Sequence, residues 1–241
     1  MKRILLIYVW STCVAAVLVF AQSFEVASIK PNRSGDPNSG ASRLPGGRIV
    51  VTNNTLKELV RNAYEVKSYQ IVGGPGWIDS DRFDVSAQAD ANANGGKLRV
   101  MMQFLLADRF KLKLHRETRT LPAYALVVAK NGSKLQKAGD GGSSLSIFRN
   151  RGAISAKTAS MAQLANGLSN LLDRPVLDMS GLGGSFDFEL HFEPFETQPA
   201  VDTPRTSIFT ALEEELGLKL ESRMSPIEIL VIDQALPPAE N

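Results

Sequence analysis

Cysteine is nearly missing from this 241-residue chain, the single one being Cys13, and histidine is almost as scarce, at His115 and His191. Without a second cysteine there is no disulfide framework and no thiolate metal site. Two histidines 76 positions apart cannot form the His-Glu-x-x-His helix of a zinc peptidase. The Gly-x-Ser-x-Gly turn of a serine hydrolase is absent too. An excess of one charge is also lacking, with 27 basic against 25 acidic residues. Lys2 and Arg3 account for that difference, so from residue 22 onward the formal charges balance. A nucleic-acid partner, which needs a basic face, is therefore not expected.

The one long apolar run is at the start. Lys2 and Arg3 precede Ile4–Phe20, and Val19-Phe20-Ala21 places small residues where a signal peptidase cuts. Residues 1–21 read as a secretory signal peptide, with an uncleaved membrane anchor as the alternative. The expected location is periplasmic or extracellular, with no membrane span after cleavage. Cys13 and Trp10 would leave with the peptide, so the remaining chain of about 220 residues must be held by apolar burial.

That remaining chain is self-similar. Gly47-Arg48-Ile49, Thr55-Leu56 and Leu59 recur 105 positions later as Gly152-Ala153-Ile154, Ser160-Met161 and Leu164. Arg82-Phe83-Asp84-Val85 returns as Ser185-Phe186-Asp187-Phe188, and Phe110–Leu114 as Leu216–Leu220. Pro122 and Leu126 are answered by Pro226 and Leu230. A shared order at nearly constant offset points to a duplication.

Each half opens a helix with a capping box, Thr55 with Glu58 and Ser160 with Gln163, followed by an apolar stripe. A second helix is predicted over 98–110 and over 207–217. "RFDVSA", "FKLKLH" and "FDFELHF" alternate as half-buried strands, whereas "YALVVA" and "EILVID" read as strands buried on both faces. The expected fold is α+β: two related β-α-β-β-α-β-β modules with helices on mainly antiparallel sheets. The modules span 22–136 and 145–241, joined by a linker over 137–144.

Two motifs invite a site. Gly181-Leu182-Gly183-Gly184 suggests a phosphate cradle, but such a loop must lead into a helix N-terminus, and a strand pattern follows. The plainer reading is a turn. In the strand after it, Asp187, Glu189, His191 and Glu193 share one face, opposite Phe186, Phe188, Leu190 and Phe192. Glu189, His191 and Glu193 are weak metal candidates, because a solvated strand face has the same alternation without any ligand. No cofactor is expected. Trp77, in a glycine-proline loop, is either a partner-contact anchor or a cap on the core beneath its turn.

Several longer stretches carry a resemblance. "FEVASIKPN", "GGPGWIDSDRFDVSAQA", "LLADRFKLKLHRETRTLPAYALVVAKNGSKL", "RPVLDMSGLGGSFDFELHF" and "LEEELGLKLESRMSPIEILVIDQALPP" occur in that order. Together they resemble the soil-associated domain-of-unknown-function family expanded in acidobacteria and other soil bacteria. That family implies no activity, cofactor or site residue. Each half also resembles, more faintly, the small N-terminal domains of secretins and TonB-dependent receptors, which implies a partner-binding αβ module. The expected function is an exported, non-catalytic binding protein whose partner is a protein or an envelope component. The alternative is a secreted hydrolase with a site between the two modules.

Overall fold

The computed structural model describes residues 23–36, 38–139, 141–172, 174–194 and 206–239. The signal-peptide reading of residues 1–21, with Trp10 and Cys13, lies outside these. Among the described residues no helix is long and apolar enough to cross a membrane.

Up to the seam near residue 137 the elements run β1 (Val26–Pro31), β2 (Gly40–Arg43), β3 (Arg48–Thr55), α1 (Leu56–Tyr64), β4 (Ile71–Gly73), β5 (Arg82–Gln88), α2 (Gly95–Arg109) and β6 (Lys113–Val128). They continue as β7 (Gln136–Lys137), β8 (Ser144–Phe148), β9 (Ala153–Ala159), α3 (Met161–Leu172), β10 (Val176–Asp178), β11 (Phe186–His191), α4 (Ile208–Ala211) and β12 (Leu218–Gln234). The fold class is α+β, as the periodicities require.

Local chemistry explains the helix starts. The Thr55 hydroxyl accepts the Glu58 N–H at 3.2 Å, and the Glu58 carboxylate accepts the Thr55 N–H at 2.8 Å. Ser160 and Gln163 make the same reciprocal pair at 3.2 and 2.8 Å. Each box satisfies two N–H groups that the first helical turn would otherwise leave unpaired. The expected helix over 207–217 is instead one α turn followed by a π turn over Leu212–Leu216, ended by Gly217 in the left-handed conformation. The wider turn leaves Leu212 and Leu216 both buried while Glu213, Glu214 and Glu215 face solvent.

Two compact units result. The first comprises the described residues up to Glu117 together with those from Glu228 on; the second is Thr118–Ile227. This division differs from a simple cut near residue 140. In the first unit, β1, β5, β3 and β2 form an antiparallel sheet in that order, with Leu56, Leu59, Val60, Leu106 and Phe110 buried in its core. In the second unit, β7, β11, β9 and β8 form another, with Leu164, Leu168, Phe186 and Leu190 in the core. Lys137, the first residue of the expected linker, thus joins Gln136, the last residue of the expected first module, in a short strand against β11.

Two details depart from the expected module. The sequence pattern predicts a pair of strands after the second helix of each half, but a single long one is present, β6 or β12. Pro122 and Pro226 lie exposed within these strands. Proline is tolerated in a strand where its missing N–H is not needed by the ladder. The sheets are also not uniformly antiparallel. β4 runs parallel to β12, with Ile71 opposite Leu230, and β10 parallel to β6, with Val176 opposite Tyr124.

The pairing of β5 with β3 and of β11 with β9 carries the same irregularity. Opposite Phe83 and Val85 stand Asn54 and Val51; opposite Phe186 and Phe188 stand Ala159 and Ala156. Three steps on one strand face two on the other, which is a β-bulge. The bulged residues Asn53 and Thr158 have φ of 57° and 49°. Asparagine tolerates this left-handed region, whereas a β-branched threonine is strained there. Gly47 and Gly152 also correspond: a Cβ on either would lie within 2.4 Å or less of a carbonyl oxygen, that of Ala89 or Phe192. Only glycine allows that approach.

Candidate functional site

The bulge in β3 organises the polar end of the first unit. Its distortion turns the Asn53 N–H toward β5, where the Asp84 carboxylate accepts it at 2.9 Å. The same Asp84 oxygen accepts the Asn32 side-chain amide at 2.8 Å, which ties the segment after β1 to the bulge. Asn53 is 3% exposed, and its side-chain amide donates to the carbonyls of Asp36 and Asn38, at 2.8 Å for the latter. Its own carbonyl accepts Arg82 Nη1 at 2.7 Å. A buried polar residue is tolerated when its groups are paired in this way.

Above this network lies a cavity of about 650 Å³. Its polar lining is Asn32, Arg33, Asp36, Asn53, Ser80, Asp81 and Arg82, and Pro31, Phe83, Pro237 and Pro238 supply apolar wall. The charges differ in how they are engaged. Arg82 is held on one side by the Asn53 carbonyl, with Glu58 at 4.0 Å. Asp36 accepts from Asn38, and Asp81 accepts the Ser80 hydroxyl at 3.1 Å. Arg33 is exposed and has no hydrogen-bond or ion-pair partner among the described residues. A planar guanidinium with no partner among the described residues, lining the same cavity as a second one fixed in place, suits a carboxylate or another flat anion. Asp36 and Asp81 place two carboxylates in the same lining.

The sequence-derived candidates lie elsewhere. Trp77 sits in a 3-10 turn (Gly76–Asp79), half-buried, stacked on Phe110 at 6.1 Å and edge-on to Phe83 at 6.2 Å. Phe83 and Phe110 are edge-to-face at 5.0 Å, so Trp77 closes an aromatic trio on the first core. In β11, Phe186, Phe188 and Leu190 are buried, while Glu189 and His191 are exposed. His191 meets Glu215, whose carboxylate accepts its N–H at 3.3 Å. Glu193 follows the strand, its N–H donating to the Thr206 carbonyl. No cluster of three or more His, Cys, Asp or Glu able to hold a metal exists among the described residues.

Asp187, on that same face, is not a free carboxylate. It accepts the Thr158 N–H at 2.7 Å, holding the second bulge as Asp84 holds the first. The glycine loop before β11 places Gly181 and Gly184 at φ of 68° and 96° and leads into the strand and not into a helix N-terminus.

The other histidine is paired. His115 Nδ1 lies 3.0 Å from the Asp233 carboxylate and Nε2 lies 3.6 Å from Glu117. The hydrogen bond to Asp233, with the Asp233 charge and the hydrogen bond and charge of Glu117, holds its pKa above 6.5 against the loss of hydration. Neither histidine lines the cavity.

Sequence reasoning passed over Asn32, Arg33, Asn53 and Arg82. A signal existed for one of them. "VTNNT" places two asparagines inside a strand, where that residue is disfavoured, and asparagine favours the left-handed region of a bulge. The unpaired state of Arg33 left no trace in the sequence.

Residues 57–235 match the family described as "Protein of unknown function (DUF3738)". No curated protein and no solved structure matches the chain.

Proposed function

The chain belongs to the DUF3738 family of proteins of unknown function, and we propose that it is an exported, non-catalytic binding protein with its ligand site in the cavity of the first unit. The observation that carries this reading is the Arg33 guanidinium, without a partner among the described residues, in the same cavity lining as the ordered Asn53–Arg82 network. The ligand is a peptide segment of a protein or an envelope component, bearing both an anionic and a cationic group. Arg33 and Arg82 suit its carboxylate, Asp36 and Asp81 its ammonium or guanidinium, and the proline and Phe83 walls its apolar parts. Binding is favoured over hydrolysis because Ser80, the one serine of the lining, has an aspartate neighbour and no histidine base.

Export rests on the charged start, the apolar run and the Val-x-Ala site of residues 1–21. The two halves are read as copies of one module. Their capping boxes, bulges and aspartate clamps at matching offsets support this reading.

The test is titration of the purified protein with a set of zwitterionic tripeptides, followed by backbone amide NMR. Saturable shifts centred on Asn32, Asn53 and Arg82, weakened at least tenfold in Arg33→Ala, are expected. Shifts confined to other residues, or none, would refute the site. Turnover of the peptides would favour the secreted-hydrolase alternative.

A further inference from the structure

The geometry points to an exchange of strands between the two halves of the sequence: each half accepts the final strand segment of the other and donates its own. The three-residue strand β4 has its partner in Leu230–Ile232, some 160 residues away, and not in the nearer segment Tyr124–Leu126. That nearer segment pairs instead with β10 of the second half. The two pairings correspond: both are parallel, both span three residues, and both join the short strand after the first helix to the end of a long strand.

Burial shows that these are structural segments and not decorations. Leu230 and Ile232 are 1% and 3% exposed, and they share a core with Leu59, Ile71 and Phe83 of the first half. Leu126 is fully buried among Leu164, Leu168 and Phe186 of the second half. The exchange extends past the strands. The Leu236 N–H donates to the Phe110 carbonyl at 2.7 Å, and the Ala138 N–H to the Ser185 carbonyl at 2.9 Å.

A half-length piece of this chain therefore has an open strand-acceptor edge, and the partner that fits it is a parallel apolar strand of the kind carried by a second half. The acceptor edge contributes main-chain hydrogen bonds, and the core pockets select apolar residues at alternate positions. Within one chain this partner is tethered, so the effective concentration is high and the edge stays covered. Proteolysis between the halves should release neither of them.

The test uses the full chain with Cys13→Ser and a specific protease site inserted after the exposed Gly142. Val72 and Val231 face each other in the ladder, so Val72→Cys with Val231→Cys should form a disulfide. After cleavage, denaturing electrophoresis without reductant should show one band of full mass, and two fragments only after reduction. The uncrosslinked cleaved protein should elute as a single folded species. As a control, Val72→Cys with Ala125→Cys brings in the same position of the nearer strand and should not cross-link. Cross-linking in the control pair, two bands from Val72–Val231 without reduction, or elution as two folded halves would each overturn the exchange.

Discussion

The Asp84 carboxylate accepts the backbone N–H of Asn53 at 2.9 Å, across a bulge where Asn53 has a left-handed φ of 57°. The second half repeats the arrangement with Asp187 and Thr158 at 2.7 Å and a φ of 49°. A bulge leaves one N–H outside the ladder, and in both cases an aspartate of the facing strand satisfies it. The aspartate of "RFDV" and "SFDF" is thus a clamp on the neighbouring strand.

Removing the clamp should be costly. Asp84→Ala leaves the Asn53 N–H and the Asn32 amide without their acceptor, and hydrogen bonds to charged groups contribute about 1.5–3 kcal/mol. Urea melts should show a loss of that size for Asp84→Ala and for Asp187→Ala, and a smaller loss for Asp84→Asn, which keeps an acceptor. A cost below about 0.5 kcal/mol, typical of a surface substitution, would refute the clamp.

Thr158 offers a stabilising change. A β-branched residue in the left-handed region is strained, and the excess cost of that conformation for an ordinary residue is roughly 1–2 kcal/mol. Thr158→Asn keeps the N–H that Asp187 binds and should raise the melting temperature. The reverse change, Asn53→Thr, should lower it. Thermal melts that rank these two variants the other way would contradict the assigned bulge geometry.

His115 carries the pH dependence. Its pKa is raised in the folded protein, so the protonated form is favoured by the fold. The stabilisation is complete below the unfolded value, near 6.5, and is lost as pH rises through the higher folded value. An NMR titration of the imidazole should have its midpoint above 6.5, and Asp233→Asn should lower that midpoint more than Glu117→Gln. An unchanged midpoint in Asp233→Asn would show that the carboxylate is not the cause.

The two faces of β11 should respond in opposite ways. Phe188 is 9% exposed, and truncating a packed phenylalanine to alanine costs roughly 3–5 kcal/mol. His191→Ala removes an exposed side chain and should shift stability by less than about 0.5 kcal/mol. Addition of EDTA should leave the melting temperature of both variants and the parent unchanged. A parent that is chelator-sensitive while His191→Ala is not would assign metal to Glu189, His191 and Glu193.

What the sequence by itself determined is local. The Thr55–Glu58 and Ser160–Gln163 boxes, the apolar stripes behind them and the alternation of Phe186, Phe188 and Leu190 are set by residues a few positions apart, so helix, strand and inward face were legible. The turn at Gly181–Gly184 was legible for the same reason. Tertiary structure decided the rest. Asp84 meets Asn53 only because a bulge shifts the register between strands 31 residues apart. Ile71 pairs with Leu230 because β12 runs on through Pro226, and Val176 with Tyr124 because β6 runs on through Pro122. The cavity follows from both kinds of contact, since Asn32, Asn53 and Arg82 are brought together by strand register and Pro237 and Pro238 by the returning C-terminal segment. Periodicity identifies which face of a strand is buried, but register and partner depend on contacts between distant residues, and no short stretch of sequence encodes those.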